Sequence, residues 1–251
     1  MTAFTRPKSD EAIAAMRHSG QLLAQLHEHL QAECTEGVSA KQLDTIAYTF
    51  IHDHGAVPSF LGYQGFEHST CISKNEEVVH GIPHANKIMM PGDICSIDIG
   101  IYYNGHHVDA ARTWAIGDID PQAQHLIDIT QASFFEGINA INVGDKLGVL
   151  SNAIGRYIEN NNLSVVSELY GHGIGKDLHE DPLVPNVGPV TKGITLKKGM
   201  TFAIEPIVNI GRPDIVTLDD RWTIISMDRS WSAHYENTIL ITQDGVEVLT
   251  K

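Results

Sequence analysis

Apolar residues recur at helical spacing in four segments of the chain and alternate with polar residues in several others. Ser9, followed by Asp10 and Glu11, opens the first helix, and Ile13, Met16, Leu23, Leu26 and Leu30 fall on one stripe behind it. The pair Glu36-Gly37 breaks that pattern. Ser39 opens a second helix, with Gln42 three positions on to complete a capping box. Leu43, Ile46, Ala47, Phe50 and Ile51 continue the stripe, and Gly55 stops it. About a hundred residues later the arrangement returns. Asp120-Pro121 starts a helix through Ile129, Phe135 and Ile138 that Gly144 ends, and Asp145 starts another carrying Leu147, Leu150, Ile154, Tyr157 and Ile158. Each helix pair precedes strand-like sequence, which predicts two related α/β halves. No residue-level repeat joins them and no Ser/Gly-rich or charged linker separates them, so one compact unit is expected.

The strands carry the polar positions of interest. From Gly92 to Tyr103, Cys95, Ile97, Ile99 and Ile101 make an apolar face, while Ser96, Asp98 and Gly100 share the other. Asn104-Gly105 is a hairpin turn signal, and the return strand sets Val108 and Ala110 against His107, Asp109 and Ala111. With Asn104 and Gly105 as the turn, paired positions sum to 209. Gly100 then faces Asp109, and Asp98 is its diagonal neighbour on the same face, ~7–8 Å away. Two carboxylates that close repel unless a cation lies between them; for the pair alone, two solvated side chains remain the alternative.

Composition narrows the class. The 251 residues are 42% hydrophobic, enough for one large domain or two small ones sharing a core. No apolar run approaches the ~18 residues of a membrane span, and the stretch Met1 to Asp10 has no apolar segment of the secretory kind. Acidic residues outnumber basic ones by 14, which argues against nucleic acid and anionic membrane as partners and suits cation binding. Cys34, Cys71 and Cys95 form no Cys-x-x-Cys pair, so neither a disulfide scaffold nor a zinc ribbon is expected and a reducing cytoplasm is the expected location.

Three further segments strengthen the metal reading. Gly171-His172-Gly173-Ile174-Gly175 follows a β-like run from Leu163 to Leu169, with glycines on both sides of the histidine; Lys176 stands where a dinucleotide fingerprint needs glycine. The strand Thr201 to Pro206 carries Glu205, and the strand His234 to Ile241 centres on Glu236. Buried carboxylates among β-formers are costly unless paired. Four acids and one imidazole suit a pair of divalent cations, the imidazole tilting the choice toward transition metals. A Gly-x-Ser-x-Gly elbow and a complete His-Glu-x-x-His are both absent.

These residues, in this order, resemble the bacterial type I methionine aminopeptidases from about Asp10 to Leu249. The matching motifs are Cys71-Ile72-Ser73 with Asn75, His80-Gly81-Ile82-Pro83, Gly92-Asp93-Ile94 into Ile97-Asp98, and His107-Val108-Asp109. They continue through Gly171 to Gly175 with His179-Glu180, Gly199 to Phe202 with Ile204-Glu205-Pro206, Asp228-Arg229-Ser230 and Glu236-Asn237-Thr238. The resemblance implies an α/β (α+β) pita-bread fold in a single catalytic domain over residues 1–251, with halves about 1–115 and 116–251 around a dinuclear metal site. It implies that Asp98 and Asp109 hold one metal and His172 and Glu205 the other, with Asp109 and Glu236 bridging. The two ions per chain would be Co, Mn, Fe or Zn. A shared water, its pKa lowered by the cations, would attack the first peptide carbonyl; Glu205 would carry the proton, and His80 and His179 would hold substrate and oxyanion. Phe60, Tyr63, Phe66, Cys71, Leu178 and Trp222 would wall the methionine pocket.

The implied substrates are N-terminal Met peptides and nascent polypeptides at the ribosome, with a small second residue, and the implied protein is a cytoplasmic monomer. Phe60 replaces a usually smaller residue of that family, Gln64 a frequent His and Leu178 a frequent aromatic, so pocket shape is where this chain departs. The alternatives are an Xaa-Pro-type peptidase, which generally carries an extra N-terminal domain, and a non-catalytic binding protein of the same fold.

Overall fold

A helix begins where a side chain can accept the backbone N–H groups that its first turn leaves unpaired. The structure is a computed structural model that describes residues 6–251; the N-terminal reading at Met1 to Asp10 therefore lies partly outside the described residues. Helix α1 (Asp10–Glu33) follows Ser9, whose Oγ accepts the Ala12 N–H at 3.2 Å. Helix α2 (Ala40–Asp53) starts with the expected capping box: Ser39 Oγ accepts from the Gln42 N–H and Gln42 Oε1 from the Ser39 N–H. Helix α3 (Pro121–Asn139) is capped by Asp120, whose Oδ1 accepts the Gln122 N–H at 2.7 Å.

Three helical details differ from expectation. Phe134, not Phe135, is the fully buried ring of α3. That helix ends at Asn139, so Gly144 lies in the connection beyond it rather than at its end. Helix α4 (Leu147–Asn160) begins after Lys146, because Asp145 turns back to accept the Asn142 N–H at 2.8 Å and closes the connection instead of capping the helix.

The helix pairs cover one face of a nine-stranded sheet whose pairings are all antiparallel. Met16, Leu23, Leu26, Leu43 and Ile51 from α1 and α2 pack on Ile97, Ile99, Val108 and Ala110. Leu126, Phe134, Leu150 and Ile154 from α3 and α4 pack on Phe202, Ile204, Ile239 and Ile241. At ~1.5–3 kcal/mol per fully buried side chain, these contacts fix which sheet face is apolar and leave the opposite face to polar residues.

At the sheet centre, strands Ile94–Tyr103 and His106–Ala115 form the expected hairpin. Tyr103 pairs with His106, Gly100 with Asp109 and Asp98 with Ala111, in the register the turn dictates. Asn104 and Gly105 take φ of 45° and 81°, the left-handed pair that a tight turn of this hand requires. The strand Glu236–Thr242 pairs with this hairpin on one side and with Thr201–Ile204 on the other; Tyr170–Gly173 and Glu180–Pro185 follow.

The second half departs from the expected strands. The run Leu163 to Leu169 yields only the short strand Ser164–Val165, and His172 sits on its own strand, Tyr170–Gly173. The Thr201 to Pro206 segment stops at Ile204, and the His234 to Ile241 segment divides at Tyr235. Beyond the break, Ile207–Asn209 pairs with Ser232–His234 and Ser164–Val165 in a separate three-stranded sheet. Pairs on both sides of the break, Ile204 with Asn237 and Ile207 with His234, sum to 441. The two chains therefore stay in step through it, and Glu205 falls opposite Glu236.

Candidate metal centre and pocket

Cross-strand partners share a sheet face, so the register assembles the polar side chains. Asp98 pairs with Ala111 and Ala111 with Glu236, while Asp109 lies two residues from Ala111. His172 pairs with Ala203, whose other partner, Thr238, lies two residues from Glu236. Asp98, Asp109, His172 and Glu236 thus project from one face, away from the helices. A Cβ at Gly171 would run into the Ala203 carbonyl oxygen, so the close approach of the histidine strand requires glycine there. Thr238 locks Asp109: its Oγ1 accepts the Asp109 N–H at 2.8 Å and donates to the Asp109 carbonyl at 3.0 Å.

Electrostatically the cluster is unfavourable as bare protein. Burial pushes the Asp98 carboxyl up to about 7. Asp109, Glu205 and Glu236 stand well above the ordinary range, first through burial and then through repulsion from the neighbouring acids. Asp98 Oδ1 and Glu236 Oε1 are buried without a hydrogen-bond partner among the described residues. His172 is lowered to about 3, chiefly by burial, and is neutral at pH 7. With Nδ1–H donated to the Gly173 carbonyl at 2.9 Å, its Nε2 lone pair faces the acids, 3.6 Å from Glu205 Oε1.

One donor atom each from Asp109, His172 and Glu236 lie within 4.8 Å of one another, and a second group of Asp98, His234 and Glu236 meets the same limit. Orphaned carboxylate oxygens and a neutral imidazole are the donors that divalent cations take, so the residues fit such ions.

All thirteen residues named from the sequence line one cavity of about 180 Å³, together with Gln64. Phe60, Phe66, Cys71 and Leu178 are buried in its wall, and Tyr63 and Trp222 are half-buried, the Trp222 ring meeting Phe66 edge-on at 4.9 Å. Burial pushes the Cys71 thiol well above its ordinary range. His179 Nδ1 is 2.7 Å from the Tyr63 hydroxyl, and its ring centroid is 4.2 Å from that of His172. Its pKa is lowered to about 4 by burial and then by His80, which burial also lowers. A second opening of about 190 Å³ shares His80, Asp98, His172, His179 and Glu205 with the first and adds Tyr170, Ile207 and His234.

Two contributors went unread in the sequence. Arg112 donates to the carbonyls of Ala111, Glu236 and Thr250 and to Asn237 Oδ1, and its guanidinium lies 4.5 Å over the Tyr235 ring, which holds the chain at the break. Nothing local marks it, because those partners are mostly remote in sequence. His234 does carry a signal, the two-residue spacing to Glu236.

A nine-stranded antiparallel sheet backed by two helix pairs, with buried acids and histidine on its open face, is the architecture of a metallopeptidase. The model of metallopeptidase family M24 matches residues 14–243, and the chain belongs to that family. Within it, the chain falls among the bacterial methionine aminopeptidases, with their pita-bread fold. It is 46% identical to methionine aminopeptidase 1 of Bacillus subtilis, over 97% of this chain and 98% of that one. It superposes on the crystal structure of a methionine aminopeptidase from Thermotoga maritima with a TM-score of 0.97 at 38% identity, covering 99% of this chain and 100% of that one. For the enzyme from Rickettsia prowazekii the TM-score is 0.96 at 36% identity, with the same coverage.

Proposed function

We propose that the chain is a metal-dependent aminopeptidase that removes N-terminal methionine from peptides and nascent proteins, with Asp98, Asp109, His172, Glu205 and Glu236 holding two divalent cations. The observation that carries this reading is the convergence of four acids with raised pKa and a neutral imidazole at one end of a small, largely apolar cavity. The named relatives support the substrate, and neither an Xaa-Pro peptidase nor a non-catalytic binding protein is favoured.

Bound cations would lower the pKa of a coordinated water and polarise a carbonyl oxygen. The protein's side chains supply the rest. Glu205 takes up the proton that the attacking water loses and returns it to the leaving amine. His179, steadied by the Tyr63 hydroxyl, and His80 donate to the oxygen that becomes negative. A free N-terminal amine, unlike an internal amide nitrogen, would have a lone pair to offer a bound cation, which would select chain ends over internal peptide bonds. The cavity, smaller than the ~300 Å³ typical of drug-sized ligands, suits one side chain walled by Phe60, Tyr63, Phe66, Cys71, Leu178 and Trp222.

The proposal extends to a single catalytic domain over residues 1–251, a small second residue in the substrate, and a monomer acting in the cytoplasm, at the ribosome among other places. The test is turnover of Met-Ala-Ser by metal-stripped protein given Co, Mn, Fe or Zn in turn. Recovery with at least one metal, and poor turnover of Leu-Ala-Ser, is the expected result; no turnover with any of them contradicts it.

A further inference from the structure

The ligand set read from the sequence contains one imidazole, His172. The neighbouring three-stranded sheet presents a second. His234 is 3% exposed, and its Nε2 has no hydrogen-bond partner among the described residues, lying 3.5 Å from Glu236 Oε2. A buried ring nitrogen left unpaired is costly, as are the unpaired Asp98 Oδ1 and Glu236 Oε1 beside it. All three residues offer a donor atom to one point, since their donors lie within 4.8 Å of one another. The 3.5 Å between His234 Nε2 and Glu236 Oε2 suits two donors arranged around a single ion at ~2.0–2.2 Å from its centre.

The position is also built. Thr113 grips the backbone of His234 from both sides, its Oγ1 accepting the His234 N–H at 3.0 Å and donating to the His234 carbonyl at 2.8 Å. The strand pairing of His234 with Ile207 fixes it from the other edge. A residue whose backbone is held this firmly, with its free ring nitrogen grouped with donor oxygens of two carboxylates, is organised for a ligand and not for solvent.

We propose that His234 is a further metal ligand, its Nε2 joining Asp98 and Glu236 around one cation. The proposal rests on the metal-dependent reading above. The two groups then become alike: each has one Asp and one imidazole, and Glu236 is common to both. An imidazole on each side moves both positions toward transition metals and away from ions that prefer oxygen donors alone.

X-ray absorption of the zinc-loaded protein, at two zinc per chain, counts imidazoles directly. His172 and His234 together give one imidazole for each zinc. One imidazole for every two zinc in the wild-type protein overturns the proposal, and this readout needs no variant to fold. In His234→Gln the count should halve, and one of the two steps of a calorimetric zinc titration should weaken by ~10²-fold while the other is unchanged. An unchanged count in His234→Gln also overturns it. A wild-type chain that takes up no zinc, cobalt, manganese or iron marks the failure of the metal reading itself, which is a different result.

Discussion

Two antiparallel strand pairs carry the four acids, and they hold them by different means. In the hairpin of Ile94–Tyr103 with His106–Ala115 the ladder runs unbroken, and Asp98 and Asp109 project from regular backbone. In the other pair the ladder stops where the acids are, at Glu205-Pro206 and Tyr235-Glu236, and the strands on either side belong to different sheets. Pro206 has no N–H to give, although its carbonyl accepts the Tyr235 N–H at 3.2 Å, and Arg112 takes the Glu236 carbonyl. A continuous ladder places the first two acids; at the second two the register is kept across a gap that hydrogen bonds from distant residues span.

The largest effect is expected at Asp109, one of the two acids read as bridging the metals. Asp109→Ala removes a carboxylate next to Asp98, Glu205 and Glu236, so it should lose both metals and nearly all turnover while the circular dichroism of the fold persists. Two retained ions and near-normal turnover would refute the assignment of Asp109. The next largest effect falls on the cavity wall. His179→Ala should lower kcat by ~10²–10³ with a much smaller change in KM, as loss of a donor to the developing oxyanion does. A rise in KM alone would make His179 a binding residue only.

Arg112→Met sharpens the contrast, since it acts on the broken pair. It leaves the carbonyls of Glu236 and Thr250 without their donor and should cost on the order of 3 kcal/mol in denaturant unfolding. An unfolding midpoint equal to wild type would show that the guanidinium does not hold the break. The hairpin has its own test in pH. Asp98 is raised in the fold from 3.8 to about 7, so its burial costs nothing when it is protonated in both states, and the cost grows as pH rises through that interval. Metal-stripped protein should therefore lose Tm, on the order of 10 °C, between about pH 4 and pH 7, and added metal should abolish the loss. A flat Tm in stripped protein would contradict this. Smallest is Phe60→Ala, which should relax selectivity for the first side chain by ~1–3 kcal/mol in kcat/KM across Xaa-Ala-Ser peptides and leave the metals in place.

The same contrast explains what could be read in advance. The hairpin register followed from strict alternation and one Asn-Gly turn, both local. Three helix caps were equally local. Asp145 was misread because an acid before a helical stripe looks the same whether it caps forward or, as here, turns back to Asn142. The break at Tyr235 was hidden because tyrosine is a good strand residue, and only Arg112 and the partner strand at Ile207 show that the chain changes sheets there. The acids and His172 stood out by type on predicted strands. Phe60, Tyr63, Leu178 and Trp222 lie in short irregular segments without periodicity, and only the family resemblance brought them forward. His234 had the right spacing to Glu236 but no second feature to distinguish it from a core histidine.

The central claim is that these two strand pairs, one regular and one broken, bring their acids together to hold the metals on which methionine removal depends. Stoichiometric titration of metal-stripped protein, with ion uptake and Met-Ala-Ser turnover measured on the same samples, tests it most directly. Turnover should rise with uptake and level off at two ions per chain. Full turnover in the metal-free protein, or uptake of two ions at Asp98, Asp109, His172, Glu205 and Glu236 with no turnover under any metal, would contradict the account.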